Sequence, residues 1–228
     1  PFVSLLAIVG IIYGALVALV QTDVKKLVAY SSVSHMGFVV LGIFAFNLQS
    51  IEGATYQMLS HGLSTGALFL LVGMLYDRRH THLIQDFGGL AHVMPRLAAL
   101  FMVIMLSSIG LPGLNGFVGE FLILQGTFLE NAGRAAFAAS GIVLSAIYML
   151  WVYQRVFMGP IQNDQNRKLA DLNVRETVIL VPLVLLVVWM GLYPGTFLRK
   201  MDTSVQKVVD RIEQVREPQI HRMEHRGH

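Results

Sequence analysis

The chain has 228 residues, of which 54% are hydrophobic and only 14% are Asp, Glu, Lys or Arg, and its formal net charge is +3. Soluble proteins carry about 25% charged residues, so this composition excludes an ordinary soluble domain, and the small charge excludes an extended nucleic-acid-binding surface. The absence of cysteine excludes disulfides, thiolate metal sites and cysteine nucleophiles. Because the charges are clustered, uncharged runs of about 20 residues remain, which is the length that crosses a bilayer. We therefore predict an all-α integral membrane protein.

Six stretches in the chain are apolar enough and long enough to span a membrane. They lie at about residues 2–20, 24–46, 54–76, 97–125, 135–158 and 177–192. The second follows Asp23, a residue type that often caps helix N-termini. The fourth contains Pro112 and four glycines and is longer than a crossing needs, so we predict that this helix is interrupted. Short loops are expected between the stretches, one of them at about residues 47–53.

The tail, residues 196–228, is too polar to span. Its apolar residues recur at spacings of three and four, at Val205, Val208, Val209, Ile212 and Val215. This pattern predicts an amphipathic helix that lies at the membrane interface or packs against a neighbouring subunit. Lys and Arg are concentrated in the loops on one side of six crossings, which the positive-inside rule assigns to the cytoplasm. The tail is then expected on the opposite side, despite its own basic residues.

Three titratable side chains lie at membrane depth: Glu120 just after the predicted break, and His35 and His61 near the middle of the second and third stretches. An ionisable group in a membrane is costly, which makes it a functional candidate by default. Histidine titrates near pH 6.5 in water and is a natural proton carrier. These residues predict a proton relay. The alternative is that all three only hold neighbouring helices together.

Two further sets of polar residues accompany them. Nearby hydroxyls that could hold ordered water are Ser31, Ser32, Ser34, Ser60, Ser64 and Thr65. Lys25 and Lys26 begin the second stretch, where a cation opposes the helix dipole, so one of them is expected to face inward and have a role beyond anchoring. The sequence does not decide which one.

No phosphate-binding loop, dinucleotide fingerprint or catalytic triad order is present. The histidines and carboxylates also lack the spacing of metal ligands on one helix. We therefore expect neither a cofactor site nor a metal site in this chain.

Three segments closely resemble a known family. They are TDVKKLVAYSSVSHMGFV at 22–39, QMLSHGLSTGALFLLVGMLYDR at 57–78 and LPGLNGFVGEFLIL at 111–124. The chain is similar here to the antiporter-like membrane subunits of respiratory complex I, which are related to Mrp-type cation/proton antiporters. The SVSHMG segment and Glu120, where the L and N types are expected to carry lysine, resemble the M type, or NADH dehydrogenase chain 4. The resemblance covers about residues 1–194.

The resemblance implies a proton-translocating subunit of NADH–quinone oxidoreductase. It places Glu120 at the terminal part of the proton path, His35 and His61 on the central hydrophilic axis, and Lys25 at the lysine of a T-D-[IVL]-K motif. It also implies that the chain corresponds to the C-terminal half of the family's paired inverted repeats and that the other half is missing.

The implied setting is a bacterial inner (cell) membrane, beside L-like and N-like subunits and lipid, with NADH and quinone bound by other subunits. A Mrp-type Na⁺/H⁺ antiporter subunit, a membrane-bound hydrogenase subunit and a structural membrane scaffold are the alternatives.

Overall fold

The computed structural model describes residues 1–224, with side chains for residues 1–212, 214 and 215. Within residues 1–224 the chain forms α1 (Phe2–Leu19), α2 (Val24–Ile43), α3 (Leu48–Arg79), α4 (Pro95–Ile109), α5 (Asn115–Glu130), α6 (Ala132–Phe157), α7 (Val174–Leu192) and α8 (Gly195–Glu224). Short 3₁₀ turns lie in two loops, at Ile84–Asp86, Leu90–His92 and Asp164–Lys168. This part of the chain contains no β-strand, and the predicted all-α fold is confirmed.

Of the eight α-helices in residues 1–224, four begin at a side chain that accepts a hydrogen bond from a backbone N–H three residues later. These caps are Asp23, Asn47, Asn131 and Asn173. Helix α4 instead begins with Pro95 and is capped from a distant loop. There the Asp171 carboxylate accepts from the backbone N–H of Arg96 at 2.9 Å and of Leu97 at 3.2 Å. The loop before α7 therefore sets where α4 starts.

The predicted interruption of the fourth stretch is confirmed. Helix α4 ends at Ile109 and α5 begins at Asn115. Between them, Gly110 and Gly113 have φ angles of 83° and 93°, a left-handed conformation that glycine adopts without steric cost. The break therefore follows from the local sequence.

Five helices, α1, α2, α3, α6 and α7, are long and apolar enough to cross a membrane. Helices α4 and α5 have 15 and 16 residues, each less than the ~20 that a crossing needs. The count of six crossings treats this pair as one span, and it stays a prediction. The loop expected at 47–53 is wrong, because α3 already starts at Leu48. Its 32 residues extend over about 48 Å, so its ends project beyond a hydrocarbon core of about 30 Å.

Helix α3 lies at the centre of the bundle and packs against α2, α4, α5, α7 and α8, while α1 packs against α2 and α6. At its N-terminal end, Ile51 forms a small buried cluster with Val205 and Val209 of α8. The tail helix therefore lies at the end of α3 that is opposite Arg78. Two residues of its apolar stripe, Val208 and Val215, remain exposed.

Candidate functional site

Three buried polar side chains from three helices meet around one carboxylate oxygen. His35 Nδ1 on α2 lies 2.8 Å from Glu120 Oε1 on α5. The Gln57 side-chain amide on α3 donates to the same oxygen at 3.2 Å. His35, Gln57 and Glu120, here called the Glu120 cluster, are only 2–3% exposed. A carboxylate this deeply buried is tolerated only with such partners.

Glycines make room for this arrangement. A side chain at Gly119 would place its Cβ 2.5 Å from Gln57 Oε1 and 2.8 Å from Gln57 Cβ, so only glycine lets α5 approach α3 this closely. A Cβ at Gly110 would lie 3.0 Å from Glu120 Oε2. The carboxylate therefore spans two environments, with one oxygen on the histidine and the amide and the other beside the helix break.

His61 is the next titratable group along this line. Its ring centroid is 5.4 Å from that of His35, and the ring is partly exposed. Thr65 Oγ1, one turn further along α3, lies 3.1 Å from His61 Nδ1. The structure therefore brings together His35, His61 and Glu120, all three of which the sequence analysis singled out.

A second polar group connects the two sides of the break to α3. Ser107, near the end of α4, donates to the Asn115 side-chain oxygen at the start of α5. Ser64 Oγ on α3 lies 3.0 Å from Ser107 Oγ and donates to Asn115 Oδ1 at 3.2 Å. The Asn115 amide in turn donates to the Ser60 carbonyl at 3.3 Å. These bonds hold both ends of the interrupted helix in place beside the histidines.

A small cavity lies between the two polar groups. Its lining residues are His35, Gln57, Ser60, His61, Ser64, Ser107, Ser108 and Gly116. Three buried atoms of these residues have no hydrogen-bond partner within the described protein: His35 Nε2, Gln57 Oε1 and Ser60 Oγ. The space open to a water molecule is about 10 Å³, near the lower limit for holding one. The cavity is polar enough to bind that water, since two to four polar partners suffice.

Lys25 lies apart from this centre. It precedes His35 by ten positions on α2, about 15 Å along the helix axis. Both Lys25 and Lys26 are exposed and line a cleft of about 990 Å³ with Tyr76 and His82 at the C-terminal end of α3. Both lysines therefore line one cleft, and the role of Lys25 stays a prediction.

Three of the hydroxyls expected to hold water instead bond to backbone carbonyls. Ser31 and Ser32 donate to Val28 O at 2.7 and 3.3 Å, and Ser34 donates to Ile11 O of α1 at 2.8 Å. The first two bonds stay within α2, and the third joins α2 to α1. These three residues support the helices, whereas Ser60, Ser64 and Thr65 belong to the site.

Sequence analysis missed Gln57 and Asn115. Both are uncharged amides, so they do not carry the signal that an ionisable group carries in an apolar helix. Gln57 precedes His61 by four residues, which places the two on one face of α3. Asn115 follows directly after the glycines and proline of the break. These two positions, on the face of His61 and beside the break, were the sequence signals that could have identified Gln57 and Asn115.

Among the side chains that the structure describes, residues 1–212, 214 and 215, no three of His, Asp or Glu come together as metal ligands. The loop histidines His80 and His82 instead pack against Tyr76, with ring centroids 5.9 and 4.4 Å away.

Comparison with known proteins places this site in a family. The model of the family described as "NADH:quinone oxidoreductase/Mrp antiporter, TM" matches residues 1–148. The chain is 49% identical over 208 residues to the NADH-quinone oxidoreductase subunit M of Rhodobacter capsulatus. The aligned region covers 91% of this chain and 41% of that protein. The chain therefore spans about two fifths of the length of this relative.

Solved structures agree. A chain of respiratory complex I from Thermus thermophilus with bound NADH superposes with a TM-score of 0.87 at 36% identity, covering 92% of this chain and 44% of that one. A chain of the Mrp complex from Dietzia sp. DQ12-45-1b gives a TM-score of 0.82 at 18% identity over 91% and 47% of the two chains, which shows a shared fold. The chain is thus an integral membrane protein that belongs to the NADH:quinone oxidoreductase/Mrp antiporter family, and its resemblance to the M-type subunits is confirmed.

Proposed function

We propose that this chain is the proton-translocating part of an M-type membrane subunit of NADH–quinone oxidoreductase. The observation that carries the proposal is the contact between His35 and Glu120. Two titratable groups, each no more than 3% exposed, approach within 2.8 Å inside a membrane protein. Burying such a pair lowers the stability of the fold. Its presence is explained if the pair moves a proton.

The contact can pass one proton in either direction. A charged Glu120 accepts a hydrogen bond from a protonated His35 Nδ1, and a protonated Glu120 donates to the bare nitrogen. The transfer needs no movement of the helices, because the two atoms are already at hydrogen-bonding distance. The other nitrogen, His35 Nε2, has no partner within the described protein, and His35 and His61 line one cavity. The proposed relay therefore runs from His61 through cavity water to His35 and then to Glu120.

The helix break sets the direction of the last step. Glu120 Oε2 lies beside Gly110, the residue at which α4 ends. Interrupted helices at membrane depth are found where they line a wet cavity or are buried in protein. We propose that Glu120 delivers the proton at this point. Lys25, in the cleft at the C-terminal end of α3, would lie at the opposite mouth of the path.

The proposed setting is a bacterial cell membrane, beside L-like and N-like subunits and lipid. NADH and quinone are bound by other subunits in this proposal, and this chain contributes no redox chemistry of its own. Quinone reduction elsewhere in the complex would be coupled to the charge state of the relay.

Two alternatives differ in what they require. A Mrp-type Na⁺/H⁺ antiporter or membrane-bound hydrogenase subunit would use the same helices, and neighbouring genes for quinone-site and iron–sulfur subunits would distinguish complex I from both. A structural scaffold would be expected to satisfy its buried polar atoms. The three unpartnered atoms around one cavity favour transport over a scaffold.

The test replaces Glu120 with Gln and with Ala in the full-length parent subunit, within the assembled complex in membrane vesicles. Proton uptake per NADH oxidised should fall severalfold in both variants. Glu130→Gln is the matched control, because Glu130 lies on the same helix but is exposed, and it should leave uptake unchanged. Normal assembly with unchanged uptake in Glu120→Gln would overturn the proton role.

A further inference from the structure

We infer that Gln57 is a positioning residue of this relay, which holds one oxygen of Glu120 towards His35 and joins the carboxylate to the cavity. The inference rests on the proposed function. Its basis is that one buried amide has polar atoms in two places. Gln57 Nε2 donates to Glu120 Oε1 at 3.2 Å, whereas Gln57 Oε1 has no partner within the described protein and belongs to a residue that lines the cavity.

Packing determines where the amide lies. Gln57 is 2% exposed, and Gly119 of α5 lies directly against its Cα, Cβ and Oε1. A longer residue at position 119 would overlap the amide, so the side chain occupies a notch that glycine alone leaves open. Its orientation is therefore imposed by the α3–α5 contact and is not one of several exposed rotamers.

The two hydrogen-bond partners of Glu120 Oε1 come from different helices, His35 from α2 and Gln57 from α3. Together they fix which oxygen faces the histidine and leave Oε2 beside Gly110 at the break. Gln57 cannot itself gain or lose a proton near neutral pH, so it acts through Glu120.

Gln57→Met tests this role, because methionine has a similar length and shape but cannot donate. The matched control is Thr127→Val. Thr127 is 2% exposed and its hydroxyl has no partner in the described protein, but it does not line the cavity. Each substitution thus removes a buried unpartnered oxygen, and only one of them touches the relay. Both are made in the full-length subunit within the assembled complex.

The first measurement is proton pumping per NADH oxidised, and the second is the rate at which dicyclohexylcarbodiimide modifies Glu120, followed by mass spectrometry. This lipid-soluble reagent reacts with protonated carboxyl groups. In Gln57→Met, loss of the hydrogen bond to the Glu120 carboxylate should lower proton pumping per NADH oxidised roughly tenfold. It should also speed modification of Glu120 severalfold, because the amide no longer holds Oε1. Thr127→Val should change neither quantity.

The outcomes separate this inference from the function on which it rests. If Glu120→Gln stops pumping but Gln57→Met pumps normally, or modification of Glu120 does not become faster, the positioning role is overturned and the relay stands. If Gln57→Met and Thr127→Val reduce pumping equally, the effect is one of packing, which also overturns the role. Faster modification of Glu120 in Gln57→Met, combined with normal pumping in the separate variant Glu120→Gln, would instead overturn the proposed function.

Discussion

The Glu120 cluster and the contacts of Arg78 use similar chemical groups, but they differ in how completely those groups are bonded. Arg78, at the end of α3, binds both carboxylate oxygens of Glu176 on α7, at 2.8 and 2.5 Å. Its remaining bonds go to the carbonyls of Met74, Ala170 and Asp171. An arginine has five N–H donors, and all five are used.

The Glu120 cluster is more deeply buried and less completely bonded. Glu120 has two partners, yet His35 Nε2 and Gln57 Oε1 have none within the described protein. Side chains of the Arg78 pair are 14–15% exposed, so water can reach them, while those of His35 and Glu120 are 3–4% exposed. Unpaired groups are therefore found where they are most costly.

Under the proposed function, this contrast separates a structural contact from one that moves a proton. A fully bonded polar network specifies one arrangement of the elements that it joins, and the Arg78 contacts join α3, α7 and the preceding loop in this way. An incompletely bonded network inside a membrane lowers stability, so it needs a compensating role. The predictions below ask whether stability and pumping separate along the same line.

The largest expected effect on stability is that of Arg78→Leu. This substitution removes the two bonds that Arg78 donates to Glu176. It should lower the free energy of unfolding by about 2–4 kcal/mol, somewhat less than for a fully buried pair. Arg167→Leu is the control, because Arg167 and Asp164 are paired but 63% and 95% exposed, and it should cost under about 1 kcal/mol. Thermal unfolding of the complex in lipid nanodiscs measures both. If pumping per assembled complex falls in Arg78→Leu as much as in Glu120→Gln, the contrast fails.

Gly116→Ala should reduce both stability and pumping. A Cβ at this position would overlap the Ser107 carbonyl, so α4 and α5 must separate at the break, at a cost of about 1–3 kcal/mol. Gly66→Ala is the matched control, since a Cβ there has no neighbour within 4 Å; a gain of up to about 1 kcal/mol is expected from helix propensity. Equal behaviour of the two variants in unfolding and pumping assays would mean that the close contact at the break is unimportant.

Ser60→Ala separates the two properties most directly. Its hydroxyl has no protein partner, so its removal should leave stability unchanged or raise it by up to about 1 kcal/mol. The Ser60 carbonyl still accepts the bond from Asn115. Pumping should nevertheless fall severalfold, because the cavity loses a polar partner for water. Unchanged pumping would show that the route does not pass through this cavity.

The smallest effect is expected at the other end of the bundle, where Glu52 of α3 and Asp202 of α8 face each other as like charges. Asp202→Asn removes this repulsion and should strengthen the packing of α8 on α3 by no more than about 0.5 kcal/mol. Hydrogen exchange of the α8 backbone amides measures the change. Asp210→Asn is the control, because Asp210 is exposed and bonds within its own helix to Gln206. Faster exchange in Asp202→Asn would contradict the assignment.

Local signals account for what could be predicted about the site. Glu120, His35 and His61 were identifiable because an ionisable residue is conspicuous in an apolar stretch. The break at residues 110–114 was identifiable because proline and glycine disfavour a continuous helix. Gln57 was not identifiable in this way, since an amide in an apolar helix has no charge that requires explanation.

Long-range contacts could not be predicted from any local pattern. No local pattern pairs Arg78 with Glu176, because the two residues are 98 positions apart. One of Lys25 and Lys26 was expected to face inward, but periodicity along α2 could not show that both would line one cleft. Both outcomes depend on how α3 is placed against its neighbours.

Local sequence was enough to predict a helical membrane protein, a break in its fourth apolar stretch and the three titratable residues within apolar stretches, because hydrophobicity, backbone preference and charge are properties of single residues and short segments. Tertiary packing was needed to bring His35 and Glu120, which are 85 positions apart, within hydrogen-bonding distance and to add Gln57 to the contact. These depend on the close approach of α2, α3 and α5, which glycines such as Gly119 permit and which the packing of the whole bundle sets.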